Sequence, residues 1–420
     1  MKRNLLFIPA LLAALTGWAQ PSGWSYGWPI SVTENSGSTV TNYQLRLDIN
    51  TQALVSAGRL LASGDDLRFG KNCAGTTLYN YWIESGMNTA NTIVWVKIDT
   101  LYANSTRTIY MYYGNSSATA VSAVNGTFFG PNSSTDSVNT GGPGGVGNSQ
   151  RGFRFSPNED VLVTSFGKNE PTGTTRYVTL FDFATQAVLA QIQVGGPAGQ
   201  YSYGSLSNPM WLTTGTQYLL ELYQGASDGY YYGNSSQIGQ GLTYLDMRYC
   251  NSCGQSTFPT NTLTNYHYGY PDLWYYRKTN VTPAPTYAMG SPLAVSAGSG
   301  VSICPGSTTT IGNIATGGAG GYVYNWSPSA SLSASNVAQP VASPTTTTTY
   351  TVTVTDAGGC STSGMVTVTV YTAPTVTASG AGSICAGNTI TLSCTGTGTG
   401  YTWSPASSLN TSTGTSVIAS

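Results

Sequence analysis

The sequence predicts an all-β chain of tandem β-sandwiches, and three observations carry that expectation. Apolar and polar residues alternate with the period of a half-buried strand, as where Tyr43, Leu45, Leu47 and Ile49 interleave with Gln44, Arg46, Asp48 and Asn50. The one helical candidate, Gln52 to Leu61, is short and broken by Gly58, too little to organise a fold. Charged residues make up 7% of the chain, far below the ~25% of ordinary globular chains. A polar, Gly-rich chain of this kind could instead be disordered. Against that, Tyr, Trp, Val and Ile recur regularly enough to bury apolar area and offset chain entropy.

The elements follow in chain order. Lys2 and Arg3 precede an apolar run, Leu5 to Leu15, interrupted by Pro9 and followed by the small residues Gly17 and Ala19. This is a secretory signal pattern over residues 1–19, with cleavage before Gln20. The run falls short of the ~20 apolar residues that span a bilayer, and no later segment is longer. The mature chain is therefore expected outside the cell, secreted or at the surface, without a transmembrane segment. Residues 20–130 read as a first sandwich: Trp24 to Pro29, the strand around Leu45, the apolar run Ile93 to Ile98 suited to a strand covered on both faces, and Arg107 to Tyr113 ending at Gly114 and Asn115. Residues 131–148 are a linker by composition, Gly-rich from Thr140 to Asn148. A second sandwich spans 149–290, with strands at Gly152–Phe155, Val161–Phe166, Tyr177–Phe183, Val188–Val194 and Tyr218–Tyr223, closed by the aromatic run Tyr266 to Tyr276.

The remainder repeats. Ser302 to Gly306 recurs as Ser383 to Gly387, an offset of 81, and Trp326 to Pro328 recurs as Trp403 to Pro405, an offset of 77. A period near 80 suits a small sandwich of ~7 strands rather than a solenoid unit. The first copy, 291–372, includes Thr349–Thr355 and Val366–Val370; the second, 373–420, reaches Ser420 before either segment recurs. On this pattern the chain is expected to be a fragment of a longer protein or a truncated reading frame.

Chemistry is constrained by what the composition lacks. Net charge is −1, which argues against nucleic-acid partners and polybasic membrane contact, both of which depend on clustered Lys and Arg. His267 is the single histidine, so a Ser-His-Asp triad or a His-based zinc site lacks its companions. The carboxylates are scattered, and none falls in the one-strand Glu-x-Asp-x-x-Glu pattern of jelly-roll hydrolases. No cofactor is required; calcium is the one candidate, with Asp65 and Asp66 the best ligands unless they simply form a turn. Cys250 and Cys253 lack the second pair zinc would want and the βαβ context of a redox motif, and are expected to form a local disulfide. The aromatic clusters are the strongest functional pointer: Tyr81 and Trp82 in the first sandwich, and Tyr230, Tyr231, Tyr232, Tyr268, Tyr270 and Trp274, with Asp272, in the second. Sugar C–H faces stack on such rings. Any single Tyr belongs more readily to a core, but Tyr230, Tyr231 and Tyr232 cannot all point inward on a pleated strand.

Three stretches resemble known families. Trp24–Ile30, Asn42–Leu47, Asp65–Phe69, Tyr81–Glu84, Val94–Lys97 and Thr108–Asn115 resemble the DUF2341 family, which implies a concanavalin-A-type jelly roll and no assigned activity. Arg151–Phe155, Thr179–Asp182 and Leu212–Tyr218 are similar to DUF4082-type sandwiches. Cys304–Gly306, Trp326–Pro328 and Thr349–Cys360 resemble the PKD-like or Ig-like repeats of sorted surface proteins of the Bacteroidetes, which commonly carry a type IX secretion sorting domain. Within that Ig-like copy Cys304 and Cys360 flank the module as a bridge across a sandwich would, and are expected to pair. The combined reading is a non-enzymatic, adhesive or structural surface protein that binds extracellular glycans or surface proteins. The alternative is a set of accessory carbohydrate-binding modules of a larger secreted polysaccharide-degrading enzyme.

Overall fold

The computed structural model describes residues 21, 23–135, 148–233, 238–268 and 270–420. The expected signal peptide, most of the expected Gly-rich linker and the side chain of Tyr268 lie outside the described residues. The chain is all-β, built of separate, almost wholly antiparallel sheets, and forms two compact units that meet in sequence at Gly290 and Ser291.

The first unit holds two sandwiches. In the first, a four-stranded sheet (Thr286–Met289, Tyr26–Thr33, Thr106–Tyr113, Arg68–Gly70) faces a three-stranded one (Val40–Ile49, Thr92–Leu101, Tyr81–Ser85). Alternation decides which side chains meet between them. Leu45, Leu47, Val94, Val96, Ile98, Ile109 and Met111 share one buried core. Trp95 points the other way into a second cluster, so the apolar run Ile93 to Ile98 is indeed covered on both faces. The helical segment is only Thr51–Ser56, capped by the Asn50 side chain and followed by Gly58 at φ 67°.

The second sandwich packs a six-stranded sheet (Val188–Val194, Arg176–Asp182, Tyr218–Gln224, Ser149–Pro157, Leu242–Asn251, Asn261–Leu263) on a four-stranded one (Ser202–Leu212, Val161–Lys168, Pro271–Arg277, Phe129–Ser133). Phe153, Phe155, Val163, Phe166, Leu220 and Leu273 are among its buried core. The two sandwiches exchange edges. Phe129–Ser133, directly after the first sandwich, pairs with Pro271–Arg277, and Thr286–Met289 returns to pair with Tyr26–Thr33. Each exchange covers a strand edge that would otherwise offer free backbone groups. Where the sandwiches touch, Trp82, Trp95 and Phe128 pack against Leu162, Trp211 and Tyr276.

In the second unit the first repeat pairs Val301–Ile303, Ser361–Val370, Thr348–Thr355 and Val323–Ser327 in one sheet, and Thr309–Thr310 with Val341–Ala342 in another. Trp326, Tyr350, Val352, Val354 and Val368 are buried together there. The second repeat forms one sheet of Val376–Ser379, Ile390–Gly396 and Ser416–Ala419.

The expected Cys304–Cys360 bridge is not made: Cys304 is free and exposed. The cause is strand direction. Ile303 pairs in parallel with Val370, at the far end of the strand that begins beside Cys360. Ten residues of strand separate the two cysteines by roughly 30 Å at ~3.3 Å per residue, against the ~7 Å limit for a disulfide. Cys385 and Cys394 are also free thiols. The local bridge between Cys250 and Cys253 does form, with a Cα–Cα distance of 6.1 Å.

Candidate functional site

The outer face of the four-stranded sheet in the second sandwich carries the site. Along Pro271–Arg277, Leu273 and Tyr275 belong to the core, so Asp272, Trp274 and Tyr276 point outward. Tyr276 lies under the first sandwich. Trp274 does not: it is 36% exposed and stacks on Tyr203, with ring centroids 4.1 Å apart and planes 27° from parallel. Tyr201 continues the stack, 6.2 Å from Tyr203.

The ring of Tyr203 lies flat across the sheet because its neighbour has no side chain. Tyr203 is in register with Gly167, and Gly167 with Asp272. A Cβ on Gly167 would sit 2.5 Å from a carbon of the Tyr203 ring. Over this gap the Tyr203 hydroxyl reaches Asp272 and donates to Oδ2 at 2.6 Å. Asp272 is fully buried and richly supplied with donors: Ser133 Oγ at 2.5 Å, Ser134 N at 2.8 Å, Ser134 Oγ at 2.5 Å and Leu273 N at 2.7 Å. The two serines arrive on the edge strand Phe129–Ser133 and the residue after it. Burial, and next the nearby Asp272, push the Tyr203 phenol above its ordinary range, so it remains a donor across neutral pH. What results is an aromatic platform braced from below by a buried carboxylate.

The other sequence-predicted residues fall into different settings. Tyr81 is a core residue whose hydroxyl donates to Leu67 O at 2.5 Å, and Trp82, one residue on, fills the cluster between the sandwiches. Burial on opposite faces of one strand removes both from any ligand-facing surface. Tyr270 is buried as well, at φ 39° where the chain turns into the Pro271 strand. Tyr230, Tyr231 and Tyr232 do not all point inward, as expected. Tyr230 is half-buried under the Arg151 guanidinium at 4.0 Å, Tyr231 packs 6.4 Å from Tyr270, and Tyr232 is 40% exposed. Backbone pairing sets Tyr232 opposite Tyr268.

Asp66 is a turn staple. Its carboxylate accepts from Leu61 N at 3.0 Å and Gly114 N at 2.9 Å, and its carbonyl accepts from Trp24 Nε1. The Asp65 carbonyl accepts from Arg68. Among the described residues no three His, Cys, Asp or Glu side chains gather as a metal site. His267 is buried between Phe153 and Tyr244, and burial lowers its pKa to about 4, leaving a neutral imidazole at physiological pH.

Sequence reasoning missed Tyr201, Tyr203, Ser133, Ser134 and Gly167. The signal for the first two was present as a period-2 aromatic pair at the entry to the strand Ser202–Leu212. The serines carry no local signal.

Against known families, the DUF2341 model, described as a domain of unknown function, matches residues 63–138. That span runs from the turn held by Asp66 to just past Ser133 and Ser134, the donors to Asp272. No curated relative matches the chain.

Proposed function

We propose that this chain is a secreted, non-enzymatic surface protein that holds neutral glycans on the Tyr201–Tyr203–Trp274 face. The observation that carries the reading is the exposed Trp274–Tyr203 stack, braced by Asp272. A pyranose presents an apolar C–H face, which stacks on an aromatic ring while its hydroxyls stay solvated or meet polar neighbours. Ser205, Ser207 and Asn208 are exposed along the strand that follows Tyr203 and can supply such contacts. Stacking on an aromatic face calls for no charge on the sugar, which favours neutral over acidic glycans. The non-enzymatic part of the reading is supported by Asp272, whose oxygens are engaged by hydroxyl and backbone donors, and by the neutral, core-packed His267. Export is supported by the amino-terminal pattern. The resemblances to DUF4082-type sandwiches and to surface-protein repeats of the Bacteroidetes are consistent with a stalked, extracellular arrangement.

The test is a glycan array followed by titration of the hits with the intact chain. Neutral polysaccharide ligands are expected, with affinity reduced about tenfold in Trp274→Ala, equivalent to about 1.4 kcal/mol, and similarly in Tyr203→Ala. Silence across the array, or binding indifferent to both substitutions, would remove the proposal. Release of reducing ends from any bound polysaccharide would overturn its non-enzymatic half.

A further inference from the structure

A strap, residues 252–260, joins the strands Leu242–Asn251 and Asn261–Leu263 of the six-stranded sheet, with the Cys250–Cys253 bridge at its root. Its contacts fall on three sides of one buried residue. Backbone register sets Gln191, Thr179, Glu221, Gly152 and Arg248 in a single row across the sheet. Within that row Gln191 Nε2 donates to Thr179 Oγ1 at 2.8 Å, and to Gln255 O and Ser256 Oγ of the strap, both at 3.1 Å. Gln150 opposes Tyr223, two residues beyond Glu221, and its Nε2 donates to Gly254 O at 3.0 Å and Thr257 O at 2.9 Å. Phe181 opposes Leu219, two residues before Glu221, and takes the Phe258 ring edge-on at 5.4 Å. Side chains two apart on a strand share a face, so the strap lies over Glu221.

The covered site is short of donors. Glu221 and Gln150 are fully buried, and among the described residues neither Glu221 carboxylate oxygen nor Gln150 Oε1 has a hydrogen-bond partner. The neighbouring cations are engaged elsewhere. Arg248 and Arg154 both pair with Asp246, and Arg151 turns to the inner face, where it donates to Gln224 Oε1 at 2.9 Å. Tyr177 and Tyr223 also face outward beside this row, and neither the strap nor Val188–Val194 carries a charged side chain. The sheet cannot shift to meet a charge on Glu221, because ladders fix its strand on both sides. The strap is held instead by Gln150, Gln191 and the Phe258 contact, so lifting it is the cheapest way to bring water to the carboxylate.

We propose that residues 252–260 form a pH-operated lid, closed over neutral Glu221 and lifting to admit water when that carboxyl ionises. Opening uncovers the surface of Gln150, Thr179 and Phe181. Burial holds the Glu221 carboxyl well above its usual value of 4.5 while the lid is closed. With the lid open the carboxyl is hydrated and returns toward that value, so the open form binds fewer protons. Opening is therefore rarest below pH 4.5 and increases with pH, by at most about tenfold per unit, until ionisation of the closed form levels it off.

The test is hydrogen exchange of the intact chain at pH 5 and pH 8, corrected for the intrinsic pH dependence of amide exchange. Protection of a segment spanning residues 252–260 should fall about tenfold or more between the two. Over the same labelling times Val161–Phe166, in the core, should stay unexchanged. Glu221→Gln, whose amide does not ionise, should leave the strap equally protected at both pH values. Should that variant fail to fold, Glu221→Met supplies the same comparison. Flat protection in the parent, or an equal fall in the variants, would overturn the proposal. So would a fall shared in step by Val161–Phe166, since the sandwich would then be opening as a whole.

Discussion

The two outer faces of the second sandwich each hide a carboxylate, and they treat it in opposite ways. On the four-stranded face, Asp272 accepts from Ser133, Ser134, Tyr203 and its own neighbour Leu273. On the six-stranded face, Glu221 is equally buried, yet among the described residues neither carboxylate oxygen has a hydrogen-bond partner. Glu221 lies in a row with Thr179, Gly152 and Arg248. Gly152 can supply no donor, and a Cβ there would meet Leu220 O at 1.8 Å. The segment after the Cys250–Cys253 bridge covers this face: Gln150 Nε2 donates to Gly254 O and Thr257 O, and Phe258 packs edge-on against Phe181. Both faces use a glycine beside the acid, with contrary results. Gly167 lets an aromatic donor reach across the sheet, whereas Gly152 brings no side chain to Glu221. A buried acid is therefore a structural brace where donors converge and a pH-sensitive weakness where they do not.

The most severe way to break this contrast is to remove the brace. Asp272→Ala strands the hydroxyls of Ser133, Ser134 and Tyr203 and the Ser134 amide, each costing ~1–3 kcal/mol when left unpaired in a buried site. A loss of about 3–5 kcal/mol in urea unfolding is expected, less where water enters the gap. Asp272→Asn, which keeps the shape but points an amide N–H₂ at donors, should fall between. A loss under ~1 kcal/mol in Asp272→Ala would mean that the donors find other partners and that the platform is not braced as described.

The opposite sign is expected on the other face. Burial pushes the Glu221 carboxyl well above its usual value of 4.5, with the Arg151 and Arg248 charges too weak to reverse it. The folded state thus retains a proton that the unfolded chain releases. Stability from this group is complete below pH 4.5 and declines as pH rises toward the folded-state value, at up to ~1.4 kcal/mol per pH unit. Glu221→Gln removes the ionisation and with it the slope. The variant should match the parent near pH 4 and exceed it by a margin that widens as pH rises toward 8. A difference in unfolding midpoint that stays flat between those pH values would contradict the account.

The contrast also marks how far sequence reasoning reaches. Strands such as Val40–Ile49 and Thr106–Tyr113 are legible because burial alternates along them, a purely local property. Trp274 and Asp272 stand out in an aromatic run for the same reason. Their partners do not: Tyr203 is 69 residues from Asp272, and Ser133 is 139. Only the sheet order, which places Phe129–Ser133 on one side of Pro271–Arg277 and Ser202–Leu212 beyond its other neighbour, brings them together. The expected Cys304–Cys360 bridge failed on the same ground, since spacing along the chain says nothing of whether two neighbouring strands run parallel. Nor does composition separate Asp272 from Glu221, two acids in apolar strands whose fates depend on neighbours across the ladder.

The finest test of the comparison alters a single atom position. In Gly167→Ala the new methyl group would come within 2.5 Å of the Tyr203 ring, a side chain able to swing away, unlike the backbone atoms that crowd Gly152. Relief should therefore cost only about 1 kcal/mol, the low end of overpacking penalties. Tyr203 cannot lift without leaving Trp274, because the 4.1 Å stack requires the ring to lie flat over position 167. The near-UV circular dichroism of the coupled rings should diminish while the urea midpoint barely moves, and glycan affinity should drop as far as in Tyr203→Ala. If the dichroism and affinity survive Gly167→Ala, the glycine is not what shapes the platform, and the open face owes its order to Asp272 alone.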